Sequence, residues 1–160
     1  MTHFPQVLIL FFGLILFVLS PGQVFADGGG GSSPIVQKSD ANFEKAKLAI
    51  KDQEWDQAID FLNRSAADDN NNADVQNLLG FAERKLGNLD AAFIHYDRAL
   101  ALDPKHRGAH EYLGEAYLMA GNLVKAEEQL AALDKLCFFS CEEYRDLKVA
   151  IADYQKGHLK

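Results

Sequence analysis

Across the chain's second and third quarters, apolar side chains come in pairs of helical stripes separated by short polar breaks. Leu78, Leu79, Ala82 and Leu86 fall at helical spacing, Gly87-Asn88 interrupts them, and Leu89, Ala92, Phe93, Tyr96, Ala99 and Leu100 form a second stripe that stops at Asp103-Pro104. The pattern predicts two amphipathic helices joined by a tight turn. Gly87 is suited to the positive φ at a helix end, and Asn88 is expected to cap the next helix through its side-chain oxygen. Pro104 disfavours helix at the residue before it.

This plan repeats at a step of 34 residues. Leu79-Gly80 and Ala82 recur as Leu113-Gly114 and Ala116, Gly87-Asn88-Leu89 recurs as Gly121-Asn122-Leu123, and Ala92 recurs as Ala126 and, upstream, Ala58. The same step relates Lys51 to Lys85, Asp56 to Asp90 and Arg64 to Arg98. Three units follow, 39–72, 73–106 and 107–140, with Gln53-Glu54 at the turn of the first. Ala58, Ala92 and Ala126 are expected where the two helices of a unit touch, with Ala46, Gly80 and Gly114 on the facing helix, since small residues permit a short interaxial distance.

A 34-residue helix-turn-helix unit with Leu-Gly, a turn glycine, a following Ala and a closing Asp-Pro resembles the tetratricopeptide repeat, over residues 39–140. The middle unit fits best. The first has Lys45 where the family prefers Leu and Asn70 in place of the closing proline; the third has Leu133 in place of Ala and lacks the closing proline. The resemblance implies an all-α fold: a right-handed solenoid of three helical hairpins with the first helix of each unit lining a concave face. Outer repeats depart from consensus because one side faces solvent, and three repeats are about the minimum for a stable stack.

After the third unit, Tyr144, Leu147, Ala150, Ile151 and Tyr154 line one face of a further helix. It is expected over 141–157 as a lid, opened by a capping box between Ser140 and Glu143. Cys137 and Cys141 are four apart, and a disulfide between them requires the chain to break in between. Three readings stand open: a structural disulfide clamping the lid, a redox-active pair with Cys141 at a helix start, and two free thiols.

The N-terminus reads as an address. Residues 7–19 carry no polar side chain, but a membrane-crossing helix needs about 20 apolar residues. The run suits a secretory signal peptide with cleavage after Ala26, followed by a Gly/Ser linker over 27–38. The alternative is an uncleaved membrane anchor, since no Lys or Arg precedes the run. The expected location is the cell envelope, most simply a bacterial periplasm, with no membrane span left in the mature chain.

Composition narrows the function. Sixteen basic against twenty-three acidic residues leave a formal charge of -7, which argues against nucleic-acid binding. His106 and His110 are four apart beside Glu111, but no third zinc ligand is evident. The alternation Asp68, Asn70, Asn72, Asp74 lacks the glycine and closing glutamate of a calcium loop. No phosphate loop or nucleophile motif is present, so no enzyme, metal or cofactor is expected.

By resemblance, the groove is lined by Asp40, Phe43, Lys47, Ile50 and Lys51 from unit one, Asp74, Asn77, Phe81, Arg84 and Lys85 from unit two, and Glu111, Glu115, Leu118 and Met119 from unit three. The carboxylate clamp of chaperone-binding members is not expected, because Gly108 and Tyr112 replace basic residues. The expectation is a non-catalytic adaptor binding a protein segment, with acidic partner residues directed at Lys47, Lys51, Arg84 and Lys85. Rival expectations are a self-associating structural module and a thiol-redox helper.

Overall fold

The computed structural model describes residues 40–158; the expected signal segment, its cleavage site after Ala26, the linker and the first residue of unit one lie outside the described residues. The described chain forms seven helices and no strand: α1 Ala41–Lys51, α2 Trp55–Asp68, α3 Ala73–Lys85, α4 Leu89–Leu102, α5 Arg107–Met119, α6 Leu123–Leu136 and α7 Glu142–His158. It is an all-α helical solenoid. Each odd-numbered helix pairs with the even one after it, and each even helix then packs on the next odd one.

Local chemistry sets the boundaries. Gly87 and Gly121 take φ of +85° and +76° at the hairpin turns, and Gln53, at the same place in unit one, is forced to +60°. The Asn72 and Asn122 side chains accept from the Val75 and Lys125 amides, capping α3 and α6. Asn88 departs from its expected role. It makes no side-chain cap, and its Nδ2 donates instead to Glu83 Oε2 at 2.8 Å, tying the turn to α3. His106 caps α5: its Nδ1 accepts from the Ala109 amide at 3.0 Å, which leaves the proton on Nε2 to donate to Asp74 Oδ1 at 3.0 Å. Asp40, expected in the groove, is instead the cap of α1, accepting from the Asn42 and Phe43 amides and from the Ser65 hydroxyl.

The alanines at the 34-residue step are all fully buried, and their surroundings extend beyond their own hairpin. Ala58 clusters with Ala49 of its own unit and Ala82 of the next; Ala92 clusters with Tyr96 and with Leu113 and Ala116 of the next unit; Ala126 clusters with Leu118, Leu147 and Ile151. Each second helix is thus wedged between two first helices, and the small residue is required at that three-helix junction. The glycines serve different neighbours. A Cβ on Gly80 would stand 2.6 Å from the Tyr96 ring, within the hairpin, whereas one on Gly114 would stand 2.6 Å from a terminal methyl of Leu147, in α7.

That last contact shows what α7 is. Leu79, Leu113 and Leu147 are successive members of one 34-residue column, and so are Ala82, Ala116 and Ala150. α7 packs on α5 and α6 as α5 packs on α3 and α4, so the lid is the first helix of a fourth unit that has no second helix among the described residues. It begins at Glu142, one residue later than expected. The expected capping box is not made: Glu143 pairs with Arg107 of α5 (3.4 Å), holding the lid to the third hairpin.

Two internal hydrogen bonds follow the same step with their partners exchanged. Gln76 Oε1 accepts from His95 Nδ1 at 2.9 Å, and His110 Nδ1 meets Gln129 Oε1 at 2.8 Å. His110 Nε2 also lies 3.2 Å from the Pro104 carbonyl oxygen. His110 is therefore a hairpin tie. Among the described residues no group of three His, Cys, Asp or Glu is placed to hold a metal.

Three substitutions test these features. Gly80→Ala should cost roughly 1–3 kcal/mol by driving a methyl into a rigid buried ring, and Gly114→Ala should cost less, because a leucine terminus can turn aside. Gln53→Gly should stabilise by about 0.5–1 kcal/mol by relieving the left-handed backbone. Urea midpoints of the three variants against the parent chain check both statements; equal costs at the two glycines would refute the first.

Candidate binding groove

The first helices touch one another, α3 against α5 and α5 against α7, while the main contacts of α2, α4 and α6 are all with first helices. A stack whose inner row is tighter than its outer row curves toward the inner row. The concave face is accordingly built from α1, α3, α5 and α7.

Its floor at the centre is aromatic. The Phe81 ring lies 4.9 Å from that of Tyr112 and 5.9 Å, edge-on, from Trp55. Lys85 stands over Phe81 at 5.3 Å, an exposed cation held on an aromatic face. In unit one, Lys47 sits over Phe43 at 5.3 Å and pairs with Glu44 at 2.8 Å, while Lys51 is exposed at the end of α1. Ile50 is half-buried and belongs to the core of unit one. Asn77 is buried against Gly108, and Asp74 is exposed at the His106 contact.

Arg84 does not have the role expected of it. It is 7% exposed, its Nη2 lies 2.6 Å from Glu115 Oε2, and its Nε donates to the Tyr96 hydroxyl at 3.3 Å. The guanidinium also lies over Phe81 and Tyr112, at 5.4 and 5.6 Å from their ring centres. Arg84 and Glu115 are thus spent on each other across the junction of units two and three, and among the described groove residues Lys51 and Lys85 are exposed cations without an ion-pair partner in the structure. Breaking a buried pair by removing one partner leaves the other charge uncompensated, so Arg84 is a strut between repeats.

Beside this pair is a cleft of about 390 Å³ between α3, α5 and α7, with Leu118, Met119, Ala150 and Tyr154 as its apolar lining and Arg84, Lys85 and Glu115 at its polar side. Met119 is 54% exposed there. The opposite part of the α5 face is acidic. Burial first, and then the charges of Glu115, Asp146 and Glu143, push the Glu111 carboxyl up to about 7, against the pull of Arg84. Burial likewise raises the Tyr112 and Tyr96 phenols, and it lowers His95 against the opposing charge of Glu83, favouring the neutral imidazole. Along its length the groove passes from exposed lysines, over aromatic rings, to carboxylates. Cys137 and Cys141 lie away from it, paired at disulfide distance in the loop between α6 and α7, with Cα atoms 5.6 Å apart.

Two tetratricopeptide repeat family models match the chain, one over residues 43–106 and one over 84–151. The chain belongs to the tetratricopeptide repeat family. No curated protein is significantly similar to it in sequence. Among solved structures, this repeat chain is similar to the first repeat domain of Spaghetti (RPAP3) bound to the HSP90 peptide SRMEEVD, with 22% identity over 75% of this chain and 94% of that one and a TM-score of 0.65. It is similar to the Yersinia enterocolitica type III secretion chaperone SycD in complex with a peptide of the translocator YopD, with 18% identity over 72% and 88% of the two chains and a TM-score of 0.62. A third is the Sgt2 repeat domain from Aspergillus fumigatus, with 18% identity over 76% and 82% and a TM-score of 0.66. At these identities the likeness is one of fold. It places the concave face of this chain on the same scaffold.

Sequence reading missed the Arg84–Glu115 pair although both residues were singled out. The signal was available: a basic residue in one unit and an acidic one in the next, both at groove-lining places, can meet across the stack. Glu111 carries a testable consequence. Its folded-state value lies above the ordinary 4.5, so the native state keeps a proton that the unfolded chain releases, and stability falls as pH rises from 4.5 through about 7. Glu111→Gln should remove that slope, stabilising the chain by roughly 1 kcal/mol at about pH 8, after discounting for solvent screening, and by nothing near pH 4. Chemical denaturation of both proteins across this pH window measures it.

Proposed function

We propose that the chain is a non-catalytic adaptor of the cell envelope that binds an extended or helical protein segment in its concave groove. The observation that carries this reading is the open strip on the first helices, where an aromatic floor at Phe81 and Tyr112 and an apolar cleft at Leu118 and Met119 lie beside the exposed Lys51 and Lys85. Apolar anchors give such a groove affinity, and the lysines give it direction. Two of the structural neighbours above have peptides bound in solved complexes, which supports a peptide or protein as the ligand class. The acidic residues of the partner face units one and two, and its neutral or basic part faces Glu111.

Export rests on the apolar run over residues 7–19 and the small residues before Asp27. An oxidising envelope would let Cys137 and Cys141 form a lasting bridge, which we assign a structural role: it would fix the α6–α7 loop and with it the lid that closes the third hairpin. Intact-mass analysis after alkylation, with and without reductant, separates bridge from thiols. Among the described residues no helix is long and apolar enough to cross a membrane.

The groove reading predicts a graded charge response. In titrations with labelled peptides that share a Leu/Phe anchor and differ in flanking charge, the acidic peptide should bind best. Lys51→Glu combined with Lys85→Glu should weaken it about tenfold or more, chiefly through slower and less salt-sensitive association. Identical binding of acidic and basic peptides, or no loss in the double variant, would sink the assignment.

A further inference from the structure

The loop between α6 and α7 has a property that the groove does not use. Phe138 and Phe139 are 93% and 86% exposed, the most exposed of the chain's large apolar side chains among the described residues, and their rings pack edge-on at 4.9 Å. They are held up between Cys137 and Cys141, whose pairing shortens the loop and presents the rings as one knob. Immediately before them, the end of α6 forms one wall of a pocket of about 440 Å³. Pro104, Ala131 and Leu136 supply its apolar surface, and Glu128 and Lys135 give its rim one charge of each sign.

Knob and pocket are adjacent along the chain, because Lys135 and Leu136 of the pocket directly precede the loop of the paired cysteines. Exposed rings cannot fold back into a pocket formed by the helix end from which they spring, but a second copy related by a twofold axis can offer its pocket to them while receiving theirs. We propose that Phe138 and Phe139 of one copy seat in the Pro104–Ala131–Leu136 pocket of a second copy, giving an isologous dimer. Each contact surface carries charges of both signs: Lys135 and Glu142 flank the knob, and Glu128 and Lys135 rim the pocket.

The area agrees. Four phenyl rings leaving water account for roughly 600–1,000 Å², a large share of the roughly 1,200–2,000 Å² that a specific interface buries. α6 is a second helix, outside the concave face, so both grooves stay open in the dimer, and the assembly does not depend on the groove reading being right. A dimer of this kind would carry two grooves and gain avidity for a repeated or paired partner.

The test uses the full chain and three proteins that share its N-terminal segment: the parent, Phe138→Ser with Phe139→Ser, and Ala131→Arg, which obstructs the pocket without touching the knob. All three altered side chains are exposed, so circular dichroism should show unchanged folding. Sedimentation across the micromolar range should show a concentration-dependent dimer for the parent, weakened about tenfold or more in each variant. An equimolar mixture of the two variants should associate more than either alone, because one intact knob then meets one intact pocket. A parent that stays monomeric, or a dimer that survives both variants, would overturn the proposal. Phenylalanine-dependent co-sedimentation with phosphatidylcholine vesicles, without phenylalanine-dependent dimerisation, would overturn it in favour of a lipid contact.

Discussion

The three-helix junction is the constraint on which everything else rests. At each 34-residue step, a second helix enters the crevice between two first helices, and only a residue as small as Ala58, Ala92 or Ala126 lets the backbones come close enough. The apolar surface buried there holds one unit to the next. Its regularity sets the curvature, and the curvature turns the outward faces of α1, α3, α5 and α7 into one continuous concave surface. Loss of closeness at a junction would splay the units and scatter residues that now lie side by side.

Polar side chains then make the junctions specific. The Arg84–Glu115 pair, bracketed by Phe81, Tyr112 and Tyr96, locks unit two to unit three at the floor of the groove. Arg107 with Glu143 and His106 with Asp74 act at the ends of the same first helices. Within hairpins, the exchanged pairs Gln76–His95 and His110–Gln129 tie first helix to second. Buried polar groups are costly unless partnered, so these contacts also penalise any slip of one helix along another.

The lid repeats half of a unit. α7 keeps the apolar column of a first helix, with Leu147 and Ile151 buried, and is held by the paired cysteines and by Glu143. Its outer side carries exposed Lys148, Val149 and Asp153 where a next unit would have needed apolar surface. α7 is thus a half-unit whose outer side is mostly polar.

The sequence alone determined the helical hairpins, their number and their order, because a 34-residue recurrence of Leu, Gly and Ala is local information that survives without coordinates. It also pointed to the groove-lining places, since those follow from register. Three kinds of fact came only from tertiary structure. Arg84 read as a free cation until the stack placed Glu115 beside it. Gly80 and Gly114 look equivalent in the repeat, yet one accommodates Tyr96 of its own hairpin and the other Leu147 of the lid. Phe138 and Phe139 follow α6 in the chain, and only the structure shows both rings turned outward in the loop before α7. In each case the deciding neighbour is about sixteen or more residues away, or absent. The reason is physical: periodicity specifies which face of a helix is buried, whereas charge pairing, close approach and exposure depend on what other helices bring to that face.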